Sequence, residues 1–270
     1  MPDFRPAWAP LGYVRSSLVE RYRLPEDLTI LTGAHDSSVN LYRYLAAGLS
    51  DFTLVSTGTW VVAMSDTADT GALDQKRGTS INADMLGNPV GGALTMTGRA
   101  FSALAGPDWN GETADAEVIA RLVGQGTMAL PTFGENDGQF PGSARRGRIT
   151  GPPPDSQAER TALAVLHSAL LTVTCANVLG GADRMIRDGS FLKEPLYAPL
   201  VAAIRPGLRT ELSDAPYGVV VGAVHLAGHA TRGANAPLAL ETVAPLAVPG
   251  LADYASRWRA AADQHESRHA

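Results

Sequence analysis

Hydrophobic and polar residues along this chain fall into two rhythms: short apolar runs that suit strands and 3.6-residue stripes that suit helices. Up to residue 27 the pattern predicts an irregular stretch and a short helix. Tyr13, Val14, Ser17 and Leu18 fall near helical spacing, and Leu24-Pro25 closes the segment. Leu28 to Thr32 reads as a buried strand. Asp36 to Ala47 reads as a helix with Val39, Leu41, Tyr42 and Leu45 as its apolar positions and Gly48 as its stop. Phe52 to Val55 and Trp60 to Met64 read as a hairpin joined by Ser56-Thr57-Gly58-Thr59.

Further along, Val90 to Met96 is strand-like, Thr97 opens a helix through Phe101 and Leu104, and Ala114 to Val123 is helical. Phe133 to Pro154, rich in Gly, Pro and Arg, is expected to cross the surface as a long polar loop. The clearest helix runs from about Gln157 to Val178. Ser156 and Glu159 make a capping-box pattern there, and Leu163, Leu166, Leu170, Val173 and Asn177 trace one buried stripe. A strand near Arg184 to Arg187, the turn Asp188-Gly189-Ser190-Phe191 and a helix from about Glu194 to Ala203 follow. Leu208 to Leu212 reads as a strand, Gly218 to Ala230 as a helix rich in small residues, and 251–264 as a polar amphipathic helix with a fraying end.

At 270 residues and 45% hydrophobic composition the chain can bury a full core. Its net charge of -5 argues against nucleic acid as a partner. A single cysteine, Cys175, excludes an intrachain disulfide. The start lacks the apolar core of a signal peptide, and no apolar run is long enough to cross a membrane, so cytoplasm is the expected compartment.

Two strand ends carry candidate chemistry. Asp36, between a strand end and a helix start, could accept the proton of an attacking hydroxyl, and the helix dipole favours negative charge there. The same position suits a simple N-cap. His35 could hydrogen-bond a substrate hydroxyl or serve structure alone. The small residues Ser56, Thr57, Gly58 and Thr59 could bring backbone N–H groups to phosphate oxygens, or form an ordinary hairpin turn. Gly189-Ser190 could let a flat base lie on the backbone, or connect strand to helix tightly. Gly222 and Ala223 read as close-packing residues. No cysteine, histidine or carboxylate spacing suggests a metal cage, so no metal ligand is assigned.

In this order, the segments resemble the FGGY carbohydrate kinases of the actin-like ATPase superfamily. Gly33-Ala34-His35-Asp36-Ser37 resembles the segment with the catalytic aspartate, and Ser56-Thr57-Gly58-Thr59-Trp60 the phosphate-facing hairpin. The segment from Asp188 to Tyr197 resembles the adenine-side turn and its helix, and Gly218 to Ala227 the closing helix. The resemblance implies an α/β fold: an actin-like (RNase H-like) ATPase lobe, its mixed sheet flanked by helices, with a partial first lobe. Residues 1–50 would be the last strand and helix of an N-terminal sugar-binding lobe, 51–245 a C-terminal nucleotide-binding lobe, and 246–270 a helical tail. It also implies ATP with Mg2+, a ketose or related sugar as substrate, Asp36 as general base and His35 at the sugar. Ser56, Thr57, Gly58, Thr59, Gly189 and Ser190 would lie at the nucleotide. His before Asp is similar to the rhamnulose and fuculose kinase branches. Two departures stand out. Gly189-Ser190 replaces the glycine pair of many members, and the Asp-x-Gly-Thr phosphate loop of the first lobe does not occur. A separately encoded N-terminal lobe is therefore an expected partner, and the chain alone is expected to lack appreciable kinase activity. The alternative is a non-catalytic remnant that binds a nucleotide or a partner.

Overall fold

The structure, a computed structural model, describes residues 5–180, 182–213 and 217–267; the first four residues of the irregular opening and the last three of the fraying tail lie outside the described residues. In chain order the elements are β1 (Pro10–Tyr13), α1 (Ser16–Tyr22), β2 (Thr29–Leu31), α2 (Asp36–Ala46), β3 (Phe52–Thr57), β4 (Val61–Ser65), β5 (Thr79–Ala83) and β6 (Pro89–Thr95). They continue with α3 (Thr97–Ala105), α4 (Ala116–Gln125), β7 (Met128–Leu130), β8 (Arg148–Thr150), α5 (Gln157–Asn177), β9 (Arg184–Gly189) and α6 (Tyr197–Ile204). Last come β10 (Arg209–Leu212), α7 (Gly218–Ala227), β11 (Glu241–Thr242) and α8 (Leu251–Ser267). The chain forms two compact units, Asp51–Asn82 with Val90–Ala215 and Ala239–Ala270, and Met1–Ser50 with Ala83–Pro89 and Pro216–Leu238.

The larger unit is built on a mixed sheet in the order β11-β10-β9-β3-β4-β6-β5. β10, β9 and β3 run parallel, while β4 is antiparallel to both β3 and β6. Around it packs α5, which is buried on all sides from Thr161 to Ala176 rather than along a single stripe. It has α3, α4, α6 and the sheet as neighbours, and a helix so enclosed must be apolar all round. Its hydroxyls are satisfied internally, Ser168 donating to the Ala164 carbonyl at 2.7 Å and Thr172 to Ser168 at 2.9 Å. At its start Ser156 Oγ accepts from Glu159 N–H at 3.2 Å. The Glu159 carboxylate accepts from Asp155 N–H at 3.0 Å, closing the cap one residue earlier than the expected box.

The first part of the segment 133–154 departs from the expected surface loop, whereas 145–154 is mostly exposed as expected. Gln139, Phe140 and Ser143 are fully buried, and the short strand β8 lies within it. Polar side chains make this burial possible: Asp137 accepts from Gly142 and Ala144 N–H at 2.9 and 2.7 Å, and Gln139 donates to the Leu94 carbonyl at 3.0 Å. Polar composition here served internal hydrogen bonding rather than exposure. α8 is fixed to the strand before this segment by Trp258 Nε1, which donates to the Ala129 carbonyl at 2.6 Å.

The smaller unit is differently made. β1 and β2 form a two-stranded antiparallel sheet. β2 is exposed, Ile30 being 45% accessible, which corrects the expectation of a buried strand. A two-stranded ribbon covers neither of its own faces, so an apolar run can pair without being buried. Tyr13 lies in β1, and the short helix begins only at Ser16. α2 and α7 cross closely: a Cβ on Gly222 would lie 2.1 Å from the Val39 carbonyl oxygen. Ala223, by contrast, is exposed and packs against nothing comparable. Trp8 stacks on His229 at 3.8 Å, and Tyr42, hydrogen-bonded to His229 Nδ1 at 2.5 Å, accepts from Arg232 at 2.9 Å.

Candidate functional site

In the larger unit the expected phosphate hairpin and base-side turn are neighbours because β3 and β9 pair in parallel, with Ser56 opposite Asp188 and Thr57 opposite Gly189. Ser56 and Thr57 belong to β3, so the hairpin tip is Gly58-Thr59-Trp60. Thr57 Oγ1 donates to the Asp188 carbonyl at 2.8 Å and accepts from Phe191 N–H at 3.2 Å. Ser190 Oγ donates to the Thr57 carbonyl at 3.2 Å. Gly189, at φ +97°, has no room for a side chain, since a Cβ would meet the Thr57 carbonyl oxygen at 2.2 Å. Thr57 and Gly189 thus lock the two strand ends together. Behind them the buried Arg187 guanidinium stacks on the Tyr197 ring at 3.9 Å. Burial lowers its affinity for protons, an effect that neighbouring Tyr197 and Asp188 partly offset.

This lock frames a cavity of about 590 Å³. Gly58 and Thr59 of the hairpin tip and Ser190 of the turn line it, whereas Ser56, Thr57 and Gly189 do not. A third wall comes from the start of α3, through Gly98, Arg99, Phe101 and Ser102. Gly98 N–H donates to the Thr59 carbonyl at 3.1 Å, and a Cβ on Gly98 would meet the Gly58 carbonyl oxygen at 2.7 Å. α3 begins without a side-chain cap, and such a helix start suits anions. Trp109 and Phe191 complete an aromatic side: Phe101 meets Trp109 edge-on at 5.0 Å and Phe191 at 5.7 Å. Glu194 ties the far rim, accepting from Ala114 N–H at 3.0 Å and from Leu196 N–H at 3.1 Å. The α3 and 109–113 walls were not foreseen. A strand ending at Thr95 just before Thr97-Gly98 is the same arrangement that singled out Asp36, and was the available signal.

In the smaller unit Asp36 is the first residue of α2, and His35, not Asp36, is the N-cap. Ser37 N–H donates to Asp36 Oδ1 at 2.6 Å and Ser37 Oγ lies 3.3 Å from the same oxygen. His35 Nδ1 is 3.0 Å from Oδ1 as well. All three contacts fall on Oδ1. Both side chains are open to solvent, at 78% for His35 and 71% for Asp36.

Residues 49–236 match the family described as carbohydrate kinase FGGY, C-terminal domain. The chain belongs to the FGGY carbohydrate kinase family. Among solved structures it is similar to a carbohydrate kinase from Novosphingobium aromaticivorans, with 28% identity and a TM-score of 0.78 over 96% of this chain and 57% of that one. It also resembles a xylulose kinase from Rhodospirillum rubrum, with 19% identity and a TM-score of 0.70 over 98% of this chain and 55% of the other. A glycerol kinase from Plasmodium falciparum, solved with ADP, matches at 15% identity and a TM-score of 0.66 over 95% and 55%. The chain therefore spans somewhat more than half the length of these structures, and the last two likenesses speak for the fold alone. No curated protein matches. The mixed sheet flanked by helices is the actin-like ATPase fold of the FGGY C-terminal domain.

FGGY kinases use ATP, typically with Mg2+. The cavity fits a nucleotide in size and in chemistry, with glycine backbone and a helix start at one side and aromatic rings at the other. For Mg2+ the described residues hold no cluster of three or more carboxylate, histidine or cysteine side chains. No helix among the described residues is long and apolar enough to cross a membrane.

Proposed function

We propose that this chain provides the nucleotide-binding face and the general base of an ATP-dependent kinase that phosphorylates a hydroxyl of a ketose or related sugar. The observation that carries the reading is the three-walled cavity, where hairpin tip, α3 start and β9 turn converge within the region matched to the FGGY C-terminal domain. Gly58 and Thr59 beside the α3 start suit the phosphates, and the aromatic side suits the base. Thr57 and Gly189 act from behind by fixing the strand ends. Asp36 is the base. Its Oδ1 is oriented by Ser37 N–H, which leaves Oδ2 to accept the proton of the attacking hydroxyl. His35 caps α2, its Nδ1 accepting from Ser37 N–H at 3.3 Å, and its Nε2 can meet a neighbouring sugar hydroxyl. The His-Asp pair is the feature that favours a rhamnulose- or fuculose-like sugar.

Phosphoryl transfer depends on positioning and charge neutralisation. Turnover by these residues requires the sugar-binding half of a two-lobed cleft, whether carried on the same polypeptide or supplied separately. A second reading, nucleotide binding without turnover, is favoured by the 71% exposure of Asp36, because a base open to water gains little from its surroundings.

A coupled assay with Mg-ATP and a panel of ketoses tests both. With a family sugar-binding lobe added, turnover is expected, and Asp36→Asn should lose about 10²–10⁴-fold in rate while calorimetry shows unchanged ATP binding. Equal rates for Asp36→Asn would remove Asp36 from the role of base. Absence of turnover with every sugar and lobe, ATP binding persisting, would leave the second reading. Robust turnover by the 270-residue chain alone would show that no further lobe is needed.

A further inference from the structure

We propose that the cleft recognises the base of its nucleotide by stacking on Phe101, Trp109 and Phe191 rather than by reading the base edge, so that ATP and GTP are accepted alike. This rests on the nucleotide reading above. Most of the polar side chains beside the aromatic side already bond to other protein groups. Trp109 Nε1 donates to the Glu112 carbonyl at 3.0 Å, leaving the indole face as its free surface. The Glu112 carboxylate accepts from Asn110 at 3.2 Å, and both Glu194 oxygens accept backbone N–H groups. Ser102 and Ser190 donate to the Gly98 and Thr57 carbonyls. Thr113 also lines the cavity. A hydroxyl can donate or accept, so it suits a 6-oxo group as well as a 6-amino group.

Adenine and guanine differ in the pattern of donors and acceptors on their edges but present similar faces. A wall of rings gains from the face, in proportion to the area stacked, and so favours purines over pyrimidines. Arg99, on the α3 start, and Lys193 are exposed at the cavity and give it positive charge. The loop bearing Trp109 is held in place independently of ligand: Trp109 N–H donates to the Gly106 carbonyl at 3.3 Å, and Glu194 holds Ala114. The stacking surface is thus formed before the nucleotide arrives.

The test is calorimetry on the 270-residue chain with excess Mg2+, using ATP, GTP, CTP and inorganic tripolyphosphate. ATP and GTP are expected to bind within about threefold of each other, and CTP about tenfold more weakly. Trp109→Ala should weaken ATP and GTP about tenfold and leave tripolyphosphate unchanged, and Trp109→Phe should restore most of the loss. A preference for ATP over GTP beyond about tenfold would overturn the inference, as would wild-type ATP binding by Trp109→Ala; in both cases the nucleotide reading survives, because ATP still binds. If wild-type protein binds neither ATP nor tripolyphosphate, the nucleotide reading falls, and this inference with it.

Discussion

In the larger unit the longest helix, α5, is enclosed on every side, and the strand ends at the cavity are locked by Thr57 and Gly189. In the smaller unit α2 packs closely on α7 across Gly222, and Val39, Tyr42, Ala46, Met85 and Leu226 share a small buried cluster, but β2 is exposed. The two therefore hold their functional side chains by different means. The proposed nucleotide cleft is framed by strand ends locked to each other beside the core. Asp36 is held by a helix start and three local contacts to one oxygen. Local stability in proteins spans from near zero to the global value, and the exposed β1–β2 ribbon is expected toward the low end of that range and the enclosed α5 toward the high end. A preformed cavity in one unit and an exposed Asp36 in the other fit the proposed reaction, in which the nucleotide half is rigid and the sugar half is completed by other surfaces.

The comparison breaks most visibly at Gly189. Valine there has to adopt φ near +97° and place its Cβ against the Thr57 carbonyl oxygen. Backbone strain and overpacking together are expected to cost roughly 4 kcal/mol, a fall of about 10 °C in melting temperature, with loss of ATP binding. Calorimetric melting and ATP titration of Gly189→Val check this. A variant with normal melting and binding would mean that the cleft is not held by its strand ends.

A slightly smaller effect concerns acid. His167 on α5 is fully buried beside Phe133 and Trp258, and burial pushes its imidazole down to about 4 from the ordinary 6.5. Between those values the unfolded chain binds a proton that the folded chain does not, so stability falls as pH drops from 6.5 to 4 and changes no further through this group below 4. The loss amounts to about 3 kcal/mol, at 1.36 kcal/mol per pH unit. Melting temperatures of wild-type protein and His167→Gln across this range measure it. The variant's curve should be flatter, and parallel curves would deny His167 the role.

Strand and helix order was legible in the chain because the apolar periods were clean, as in Phe52–Val55 and Val39–Leu45. Burial was less so. Ile30 sits in an apolar run and is exposed, whereas Gln139 and Ser143 sit in a polar one and are buried, because hydrophobicity records what could be buried and not which neighbours are present. Of the candidate nucleotide residues, Gly58, Thr59 and Ser190 line the cavity. Ser56, Thr57 and Gly189 do not line it; parallel pairing of β3 and β9 turns the Thr57 hydroxyl and the Gly189 backbone toward each other. The walls from Phe101 and Trp109 were invisible to motif reading: an aromatic residue in a chain signals core as readily as ligand contact, and only the fold brings these rings together.

The finest test of the contrast lies in the α2–α7 crossing. A methyl on Gly222 would press on Val39, so Gly222→Ala must separate the helices, at about 1–3 kcal/mol, offset by up to about 1 kcal/mol because alanine favours the helix. The net effect is small, and a global melt can miss it. Amide exchange resolves it, because it reports opening residue by residue. In wild-type protein Thr29–Leu31 should exchange quickly, since only β1 pairs with this strand, while Met185–Arg187 should be strongly protected between β3 and β10. In Gly222→Ala, exchange should accelerate in Asp36–Ala46 and Gly218–Ala227 and stay unchanged in Met185–Arg187 and throughout α5. Equal acceleration everywhere would mean that both units open as one, and the idea of a rigid nucleotide half and a loosely held base would have to be abandoned.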